Sequence, residues 1–240
     1  LGLNKIEKLR YGENPHQEGA IYTSSENLGL VKLNGKQLSY NNYSDIFAAL
    51  QISKSFPNNR GTVIVKHGNP CGVSIHENNN ESFLMAYKCD PLSSFGGIVS
   101  CNFKISKRVA VNLNKSFFEV IIGNGFDKDA LSLLKTKKNV RLIDSKKYRV
   151  SDKNSIVSNM HNALIQSPDT KNFTYNDFKV VSKLKPSKKT FENLIFAFNV
   201  CRFVKSNAIV LTNGKSTVGI GSGQPSRLDS CEIAIKKMNE

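Results

Sequence analysis

The segment Thr62-Val63-Ile64-Val65-Lys66-His67-Gly68-Asn69-Pro70-Cys71-Gly72 joins a short apolar run to a polar, turn-rich stretch. Its first four residues are β-branched and follow the breakers Pro57 and Gly61, so they predict a buried strand. The glycine, asparagine and proline residues from His67 onward predict a loop without regular structure. Lys66 and His67 lie where the strand ends, the place at which α/β proteins commonly contact ligands. The alternative is a solvent-exposed Lys at the strand end beside a structural His. Because so constrained a loop is an unlikely simple connection, we take these two residues as the first candidates for function.

Helices are predicted on both sides of this strand. Apolar residues recur at helical spacing up to about Phe56, and Ser44 or Asp45 is suited to cap that helix at its start. A second helix is predicted from Glu81 to Cys89, and a third begins at Asp127 and runs through Leu134.

Strands and helices alternate along the rest of the chain. Further strands are predicted from Ile98 and over the apolar run Phe117–Ile122. A periodic helix is predicted over 187–205, followed by a hairpin over 208–220 around the turn Asn213-Gly214. Ser226 is suited to begin a last helix. This alternation predicts the α/β class.

Both halves of the chain show the order helix, strand, glycine-rich loop, helix, without a detectable sequence repeat. We expect three parts: a first unit over 1–143, a connecting region over 144–186, and the start of a second, truncated unit over 187–240. The connecting region is rich in Lys, Ser, Asn and Asp, and Pro168 and Pro186 interrupt it.

The composition is typical of a soluble protein. Hydrophobic residues make up 39% and charged residues 22% of the 240 positions. No apolar run approaches the roughly 18 residues that a membrane-spanning helix needs, and the mixed charge of the first residues is unlike a signal peptide. The five cysteines lie far apart, which favours reduced thiols over a disulfide framework or a zinc knuckle. We expect a cytoplasmic protein.

The net charge of +15 narrows the classes of partner. Such an excess of Lys and Arg suits nucleic acid or small phosphorylated and carboxylate-rich substrates. The basic residues are scattered instead of forming an arm or one helix face, and the sequence lacks the aromatic-rich strand motif of RNA-recognition sheets. This scatter argues against nucleic-acid binding as the primary role and leaves two explanations, small anionic substrates or a general bias of the composition toward Lys and Asn, with a basic RNA-binding domain as a competing hypothesis. We expect neither nucleic acid nor a membrane among the partners.

Three familiar site motifs do not fit the glycine-rich segments. Gly68–Ser74 lacks the Gly-Lys-Ser/Thr ending of a phosphate-binding P-loop. Gly219–Gln224 has the wrong spacing for a dinucleotide fingerprint and follows a hairpin. His67 with Pro70-Cys71 is similar to part of the zinc deaminase signature, but Asn69 occupies the position of its catalytic Glu, and no second Cys follows. The sequence therefore predicts no catalytic zinc.

Several further blocks of sequence are distributed over nearly the whole chain. They are Leu9-Arg10-Tyr11-Gly12-Glu13-Asn14-Pro15-His16-Gln17, Leu38-Ser39-Tyr40-Asn41-Asn42, Val65-Lys66-His67-Gly68-Asn69-Pro70-Cys71-Gly72, Asp90-Pro91-Leu92-Ser93-Ser94-Phe95-Gly96-Gly97, Phe118-Glu119-Val120-Ile121-Ile122, Val204-Lys205-Ser206-Asn207-Ala208-Ile209 and Gly219-Ile220-Gly221-Ser222-Gly223-Gln224-Pro225-Ser226-Arg227. In this order they resemble the AICAR transformylase domain of the bifunctional purine enzyme that also has an IMP cyclohydrolase domain. Together the blocks are highly specific.

The resemblance implies a fold, a reaction and a set of partners. The fold is a pair of cytidine-deaminase-like three-layer α/β units without catalytic zinc. The reaction is transfer of a formyl group from the co-substrate 10-formyltetrahydrofolate to the 5-amino group of AICAR, a step of de novo IMP biosynthesis. The family works as a homodimer with sites at the interface, so we expect this chain to associate.

The resemblance also implies which residues form the site. By the family's pattern the catalytic residues are His67 as proton acceptor, Lys66 as stabiliser of the transition state, and Asn207 beside AICAR; the substrate-binding residues are Arg10 and Tyr11 toward the nucleotide, Gly96 and Glu119 in the AICAR site, and Arg227 toward the folate. The residue chemistry agrees, because His suits a base near neutral pH and an ammonium stabilises a developing oxyanion. Glu119 lies among apolar residues, where an unpaired charge is costly, and this favours a ligand role.

The chain departs from the family pattern in several places. Gly68 stands where the family usually has Ala, and Met160–Gln166 replaces a stretch that is normally richer in glycine. The family continues beyond Glu240 with further substrate-binding residues, and its cyclohydrolase domain precedes Leu1, so we expect an interior fragment. An inactive truncated nucleotide-binding module is therefore the alternative to an active enzyme.

Overall fold

A computed structural model describes residues 2–57, 59–150, 155–159 and 161–240 of the chain. The described strands are β1 (Asn4–Lys8), β2 (Ala20–Thr23), β3 (Val31–Asn34), β4 (Gly61–Lys66), β5 (Asn69–Ile75), β6 (Ile98–Cys101), β7 (Val120–Gly123), β8 (Arg141–Asp144), β9 (Ser155–Asn159), β10 (Asn162–Gln166), β11 (Ile209–Asn213) and β12 (Ser216–Gly221). The described helices are α1 (Tyr40–Lys54), α2 (Asn79–Cys89), α3 (Pro91–Ser94), α4 (Lys107–Leu113), α5 (Lys128–Lys135), α6 (Lys188–Cys201) and α7 (Arg227–Asn239), with a 3-10 turn at Tyr175–Asp177.

Eight of these strands form one mixed sheet in the order β11-β12-β5-β4-β6-β7-β8-β3. Within this sheet β6, β7 and β8 run parallel to one another, and the other neighbouring strands are antiparallel. The pairs β1–β2 and β9–β10 form separate two-stranded sheets. Helices cover both faces of the large sheet, so the predicted α/β class is confirmed.

β4 directs alternate side chains into two apolar cores. Ile64 packs into a core with residues of α2, α4 and α5, whereas Val63 and Val65 pack into a second core with residues of α1 and α6. Successive side chains of a strand point to opposite faces, which explains this division. The residues from Gly61 to Val65 are all buried, so the predicted buried strand is confirmed.

Two glycines allow helices to cross the sheet at close range. A Cβ atom at Gly72 would overlap the carbonyl oxygen of Ala86 in α2, and one at Gly219 would overlap the carbonyl oxygen of Ala234 in α7. Because glycine alone lacks a Cβ atom, β5 and β12 carry it where these helices pack.

Most predicted helices are confirmed, with differences at their ends. α5, α6 and α7 begin directly after Asp127, Ser187 and Ser226, respectively. α2 begins two residues before Glu81, and α6 ends at Cys201 instead of continuing to Lys205.

The predicted start of α1 was wrong. Ser44 and Asp45 lie inside this helix, which begins at Tyr40 and is capped by Ser39. The Asn42 N–H donates to Ser39 Oγ at 3.2 Å, and the Ser39 N–H donates to Asn42 Oδ1 at 3.2 Å. This reciprocal cap uses Asn where Glu or Gln is usual, so the sequence pattern did not reveal it.

The prediction of an irregular loop over His67–Gly72 was also wrong. β5 begins at Asn69, which pairs with Lys66, so His67 and Gly68 form a two-residue hairpin connection. Their φ angles are 52° and 73°, and positive φ at both central residues is what a type I′ turn requires. The register between the two strands shifts between Ile64 and Val65 of β4: Ile64 pairs with Gly72 of β5, and Val65 pairs with Pro70.

The β11–β12 hairpin adds two strands to the large sheet beside β5. Ser216 pairs with Ser74 of β5, and the Thr217 hydroxyl accepts from the Val73 N–H at 2.9 Å and donates to the Val73 carbonyl at 3.2 Å. The proposed connecting region 144–186 contains the β9–β10 hairpin and the 3-10 turn, while its residues 151–154 and Met160 lie outside the described residues. The three-part division stays a prediction.

Three further properties concern the expectations from composition. All five cysteines are free thiols. Within the described ranges, no helix combines the length and the apolar character that crossing a membrane requires. The same residues include no group of three or more His, Cys, Asp and Glu side chains placed to hold one metal ion.

Candidate active site

The candidate site lies along one row of strand ends of the large sheet, here called the edge, where several strands begin or end. Val65 pairs with Ile98 at the start of β6, and Ile98 pairs with Val120 at the start of β7. Lys66 follows Val65 and Glu119 precedes Val120, so both residues reach this edge. The loop that carries Gly96 also lies here, because it leads into β6.

The hairpin from the second half of the chain ends at the same edge. β12 runs antiparallel to β5, so its last residue, Gly221, lies toward the end of β5 that begins at Asn69. Ile209 pairs with Gly221, and therefore the segment that carries Asn207 reaches this edge from the other side. Arg227 follows the loop after β12. The fold thus brings distant sequence blocks to one edge.

Lys66 links β4 to the loop before β6. Its ammonium donates a hydrogen bond to the carbonyl of Phe95 at 2.5 Å. A Cβ atom at Gly96 would lie only 3.3 Å from Lys66 Nζ, and Gly96 has a φ of +71°. The backbone conformation therefore favours glycine here, and a Cβ atom would crowd the ammonium of Lys66.

His67 occupies the exposed tip of the β4–β5 hairpin, in a left-handed conformation that is uncommon outside glycine. The carboxylate of Asp45 accepts from the His67 N–H at 3.1 Å and from the Gly68 N–H at 2.6 Å. On the other side of the turn, the Asn69 amide donates to the His67 carbonyl at 3.4 Å and accepts from the Lys205 N–H at 3.1 Å. These contacts join the turn to α1 and to the segment before β11.

Lys66 and His67 line the same cavity, whose volume is about 340 Å³. Its other lining residues are Asn69, Pro70, Cys71, Asp90, Ser93, Ile220, Ser222, Gln224, Ile233 and Lys237. Burial raises the pKa of the Cys71 thiol to about 12. Because the thiolate is the nucleophilic form, Cys71 is a neutral wall of this cavity near neutral pH.

A nearly buried ion pair closes one side of the cavity. Lys237 Nζ lies 3.1 Å from Asp90 Oδ2, and Asp90 Oδ1 accepts from the Ser93 N–H at 2.9 Å. Burial opposes the charge of Lys237, but the hydrogen bonds and charges of Asp90 and Glu240 together outweigh it, so the pKa of Lys237 is raised. Asp90 thereby neutralises Lys237, whereas Lys66 has no carboxylate within salt-bridge distance among the described residues.

Asn207 is held firmly beside the loop after β12. Its side-chain amide donates to the carbonyls of Gln224 at 3.0 Å and Pro225 at 2.8 Å. The backbone carbonyl of Asn207 accepts from the Ser230 hydroxyl at 2.8 Å. The amide donors of Asn207 are therefore occupied by backbone, and the residue lies near the cavity without lining it.

Glu119 has two partners at the sheet edge. Its Oε2 atom accepts from the Asn42 amide at 2.9 Å and lies 3.7 Å from an Arg141 guanidinium nitrogen. The side chain is 43% exposed, while that of Arg141 is only 11% exposed. The cost of an unpaired buried charge therefore does not apply to Glu119, and its ligand role stays a prediction.

The remaining predicted residues lie outside the 340 Å³ cavity. Arg10 and Tyr11 lie in the loop after β1 and contact each other, with an Arg10 nitrogen 3.1 Å from the Tyr11 hydroxyl. Asn41, at the start of α1, donates to the Glu13 carbonyl at 3.1 Å and thereby ties this loop to the helix turn that contacts Glu119. Arg227 is exposed on the first turn of α7.

Sequence reasoning missed Asp45 as a contact of the hairpin tip and the Asp90–Lys237 pair. Neither has a local signal, because the partners are separated by 22 residues in the first case and by most of the chain in the second. A larger cavity, of about 910 Å³, lies at the opposite edge of the sheet near Arg60, Ile75 and Lys215. We place the site at the smaller cavity because Lys66 and His67 both line it.

The chain is an α/β protein with a Lys-His pair at a cavity where strands end. Comparison with known families identifies the family to which it belongs. The family described as the AICARFT/IMPCHase bienzyme matches residues 1–237. The chain belongs to this family.

Its relatives include proteins that are each named bifunctional purine biosynthesis protein PurH. The chain is 41% identical to the protein of Aquifex aeolicus over an alignment of 244 residues, and this alignment covers 100% of the chain and 47% of the relative. It is 44% identical over 242 residues to that of Leptospira biflexa (99% and 46%) and 42% identical over 244 residues to that of Fusobacterium nucleatum (100% and 48%). The chain spans about half the length of the curated relatives it matches.

Proposed function

We propose that this chain carries the catalytic pair of an AICAR transformylase, which transfers a formyl group from 10-formyltetrahydrofolate to the 5-amino group of AICAR and yields FAICAR in purine biosynthesis. One observation carries the proposal: Lys66 and His67 line one cavity of about 340 Å³ at the edge where the sequence blocks converge. The family and the names of the relatives support it.

The amine of AICAR needs assistance because its lone pair is conjugated with the imidazole ring and lies beside a carboxamide. In the proposed mechanism, His67 accepts the proton of this amine while the new C–N bond forms. Histidine suits this step because it is the commonest general base near neutral pH. The exposed position of His67 at the tip of the hairpin leaves its imidazole accessible to a substrate.

Lys66 stabilises the charge that develops on the formyl oxygen in the tetrahedral intermediate. As the intermediate collapses, the bond between the formyl carbon and N10 of the folate breaks, and the proton held by His67 passes to N10, so tetrahydrofolate leaves as a neutral amine. The ammonium of Lys66 is already oriented by the Phe95 carbonyl at the rim of the loop that carries Gly96. A cation that is already oriented toward the developing charge stabilises it without a further reorganisation cost. Proton transfer and electrostatic stabilisation are sufficient for this chemistry, so the proposed mechanism uses no metal.

Substrate binding is assigned to the residues around this pair. We assign Arg10 and Tyr11 to the nucleotide phosphate, since a guanidinium can form two parallel hydrogen bonds to it. Gly96 and Glu119 would line the AICAR site, with Asn207 beside them. Arg227, exposed at the start of α7, would face the folate.

The finer architecture belongs to the same proposal. The protein would contain two cytidine-deaminase-like units without catalytic zinc, work as a cytoplasmic homodimer, and be joined to an IMP cyclohydrolase domain. The matched relatives are bifunctional proteins about twice the length of this chain, which supports the last element.

Formyl transfer in the full-length protein tests the function. FAICAR is measured by mass spectrometry and tetrahydrofolate release by absorbance, with Lys66→Met compared with Lys215→Met at the opposite edge. Loss of one oxyanion-stabilising group typically costs on the order of 10²–10³ in rate, so Lys66→Met should lose about that factor with AICAR affinity retained. Near-normal turnover by Lys66→Met, or no FAICAR from the unaltered protein, would refute the proposal.

The second candidate is an inactive module that binds nucleotide without transferring the formyl group. This candidate is considered because the chain covers only about half the length of its relatives. An assay of the 240-residue chain alone distinguishes the inactive module from the enzyme. Saturable AICAR binding without FAICAR formation would favour the module, whereas turnover would favour the enzyme.

A further inference from the structure

Asp45 makes an unusual contact for a residue inside a helix. Each of its carboxylate oxygens accepts one backbone N–H of the hairpin tip: Oδ2 from His67 at 3.1 Å and Oδ1 from Gly68 at 2.6 Å. These two N–H groups follow one another in the chain, and both residues have positive φ. Consecutive backbone N–H groups in such turns form a concave site for an anion. Asp45 supplies that anion.

The turn needs this support because His67 is in a conformation that residues with a Cβ atom adopt reluctantly. Type I′ turns favour Asn or Gly at this position, and a residue with a Cβ atom such as His occupies the left-handed region less readily than glycine. Charge-assisted hydrogen bonds to a carboxylate are among the stronger contacts available to a backbone N–H. Asp45 therefore holds in place a backbone geometry that the sequence of the turn does not favour by itself.

α1 gives Asp45 a rigid base. The neighbouring residues Ile46 and Ala49 are fully buried, so this part of the helix is fixed against the sheet. Asn69 holds the other side of the turn through the His67 carbonyl and the Lys205 N–H. The direction of the His67 side chain is thus set from a helix on one side and from the segment before β11 on the other.

We propose that Asp45 is a positioning residue for His67: it fixes the left-handed turn that presents the imidazole to the cavity, without contacting substrate. The inference rests on the proposed function for the role of His67. The observed contact itself does not depend on that function.

The test uses Asp45→Asn in the full-length protein. An amide retains one acceptor oxygen but turns its NH₂ group toward the second backbone N–H, so one hydrogen bond is replaced by a donor–donor contact. A small displacement of a catalytic group can cost up to about 10²-fold in rate. We expect kcat to fall by about 10- to 100-fold while KM for AICAR changes by less than about threefold.

Asp144→Asn is the matched control. Asp144 also accepts from a backbone N–H, that of Lys146 at 2.8 Å, but it lies at the end of β8 on the opposite edge of the sheet. It should retain the kcat of the unaltered protein. A fall in kcat that is equal for the two variants would contradict the positioning role.

A double-mutant comparison separates positioning from general damage. If Asp45 acts through His67, Asp45→Asn should have less than about a twofold further effect in a His67→Ala background, because interacting residues are not additive. The same fold-loss in both backgrounds would overturn the proposal. Urea unfolding of each variant shows whether the protein is folded under assay conditions.

Hydrogen exchange gives a readout that does not depend on catalysis. In the peptide covering 66–70, Asp45→Asn should speed the exchange of the two amides at the hairpin tip, and Asp144→Asn should not. Unchanged exchange would refute the proposed hold on the turn. If the unaltered protein makes no FAICAR while exchange responds as expected, the proposed function fails and the structural part of the inference stands.

Discussion

Gly96→Ala places a methyl group where the loop before β6 meets the ammonium of Lys66. Gly96 has a φ of +71°, and an ideal Cβ atom there would lie 3.3 Å from Lys66 Nζ. A residue with a Cβ atom pays about 1–2 kcal/mol for left-handed backbone. The contact is also tighter than ordinary, so the ammonium must move by a few tenths of an ångström from its 2.5 Å hydrogen bond to Phe95.

Gly214→Ala separates these two effects. Gly214 also has a left-handed φ, +59°, but no heavy atom lies within 4 Å of its ideal Cβ position. Both substitutions should therefore lower the free energy of unfolding by about 1–2 kcal/mol, which corresponds to a fall in Tm of about 2–8 °C for a protein of this size. Only Gly96→Ala should slow formyl transfer, by about tenfold, because it displaces the ammonium that stabilises the intermediate in the proposed mechanism.

Urea unfolding and steady-state formyl transfer at saturating AICAR measure the two quantities. The assay temperature is kept well below the Tm of both variants, so that loss of folded protein does not contribute to the rate. Equal activity in the two variants would show that the position of Lys66 does not limit the reaction. Unchanged stability of Gly96→Ala would contradict the left-handed conformation of the loop.

Three further predictions concern groups away from Lys66 and His67. Burial raises the pKa of Cys89 to about 11 and of Cys101 to about 12, so iodoacetamide at pH 8 should modify them far more slowly in the folded protein than in urea, and rapid labelling detected by mass spectrometry would contradict this. The pKa of Asp177 is lowered from 3.8 to about 2, and the hydrogen bond from Lys171 is the largest cause. The ionised Asp177 therefore stabilises the fold above pH 3.8, and this stabilisation is lost as pH falls through about 2. In Asp177→Asn the urea midpoint should depend less on pH over that interval, and an unchanged dependence would exclude the Lys171–Asp177 pair. Gly72→Ala would drive a Cβ atom into the backbone of α2, and we expect a loss of more than about 3 kcal/mol in urea unfolding, whereas a loss below about 1 kcal/mol would refute the close packing.

The elements with strong local signals could be predicted from sequence. The β-branched run at 62–65 is a buried strand, and Ser226 caps α7 as expected from its side-chain oxygen. Asn213-Gly214 connects β11 and β12, as this dipeptide predicts. In each case the information lies within a few residues of the element.

The elements that were mispredicted depend on less typical local choices or on distant contacts. The His67-Gly68 turn was taken for part of a loop, because the left-handed conformation of His67 is supported by Asp45, which lies 22 residues earlier in the chain. The start of α1 was placed too late, because the cap of Ser39 uses Asn42 in place of an acidic residue. Local sequence patterns do not contain this information.

The candidate site shows the same division. Lys66 and His67 could be predicted from their place at the end of a strand and from the family blocks, and the structure places both on one cavity. The partners that orient the turn could not, because Asp45 precedes it by 22 residues and Asn69 contacts Lys205 across 136 residues. The partners of Glu119 also become visible only once α1 and β8 meet at the sheet edge.

Formyl transfer by His67→Ala in the full-length protein tests the central claim most directly. AICAR affinity is measured separately by calorimetry, so that binding and chemistry are distinguished. If His67 is the proton acceptor, kcat should fall by about 10²–10⁴-fold while the Kd for AICAR stays within about threefold of the unaltered protein. Turnover within about tenfold of the unaltered protein would contradict the assignment.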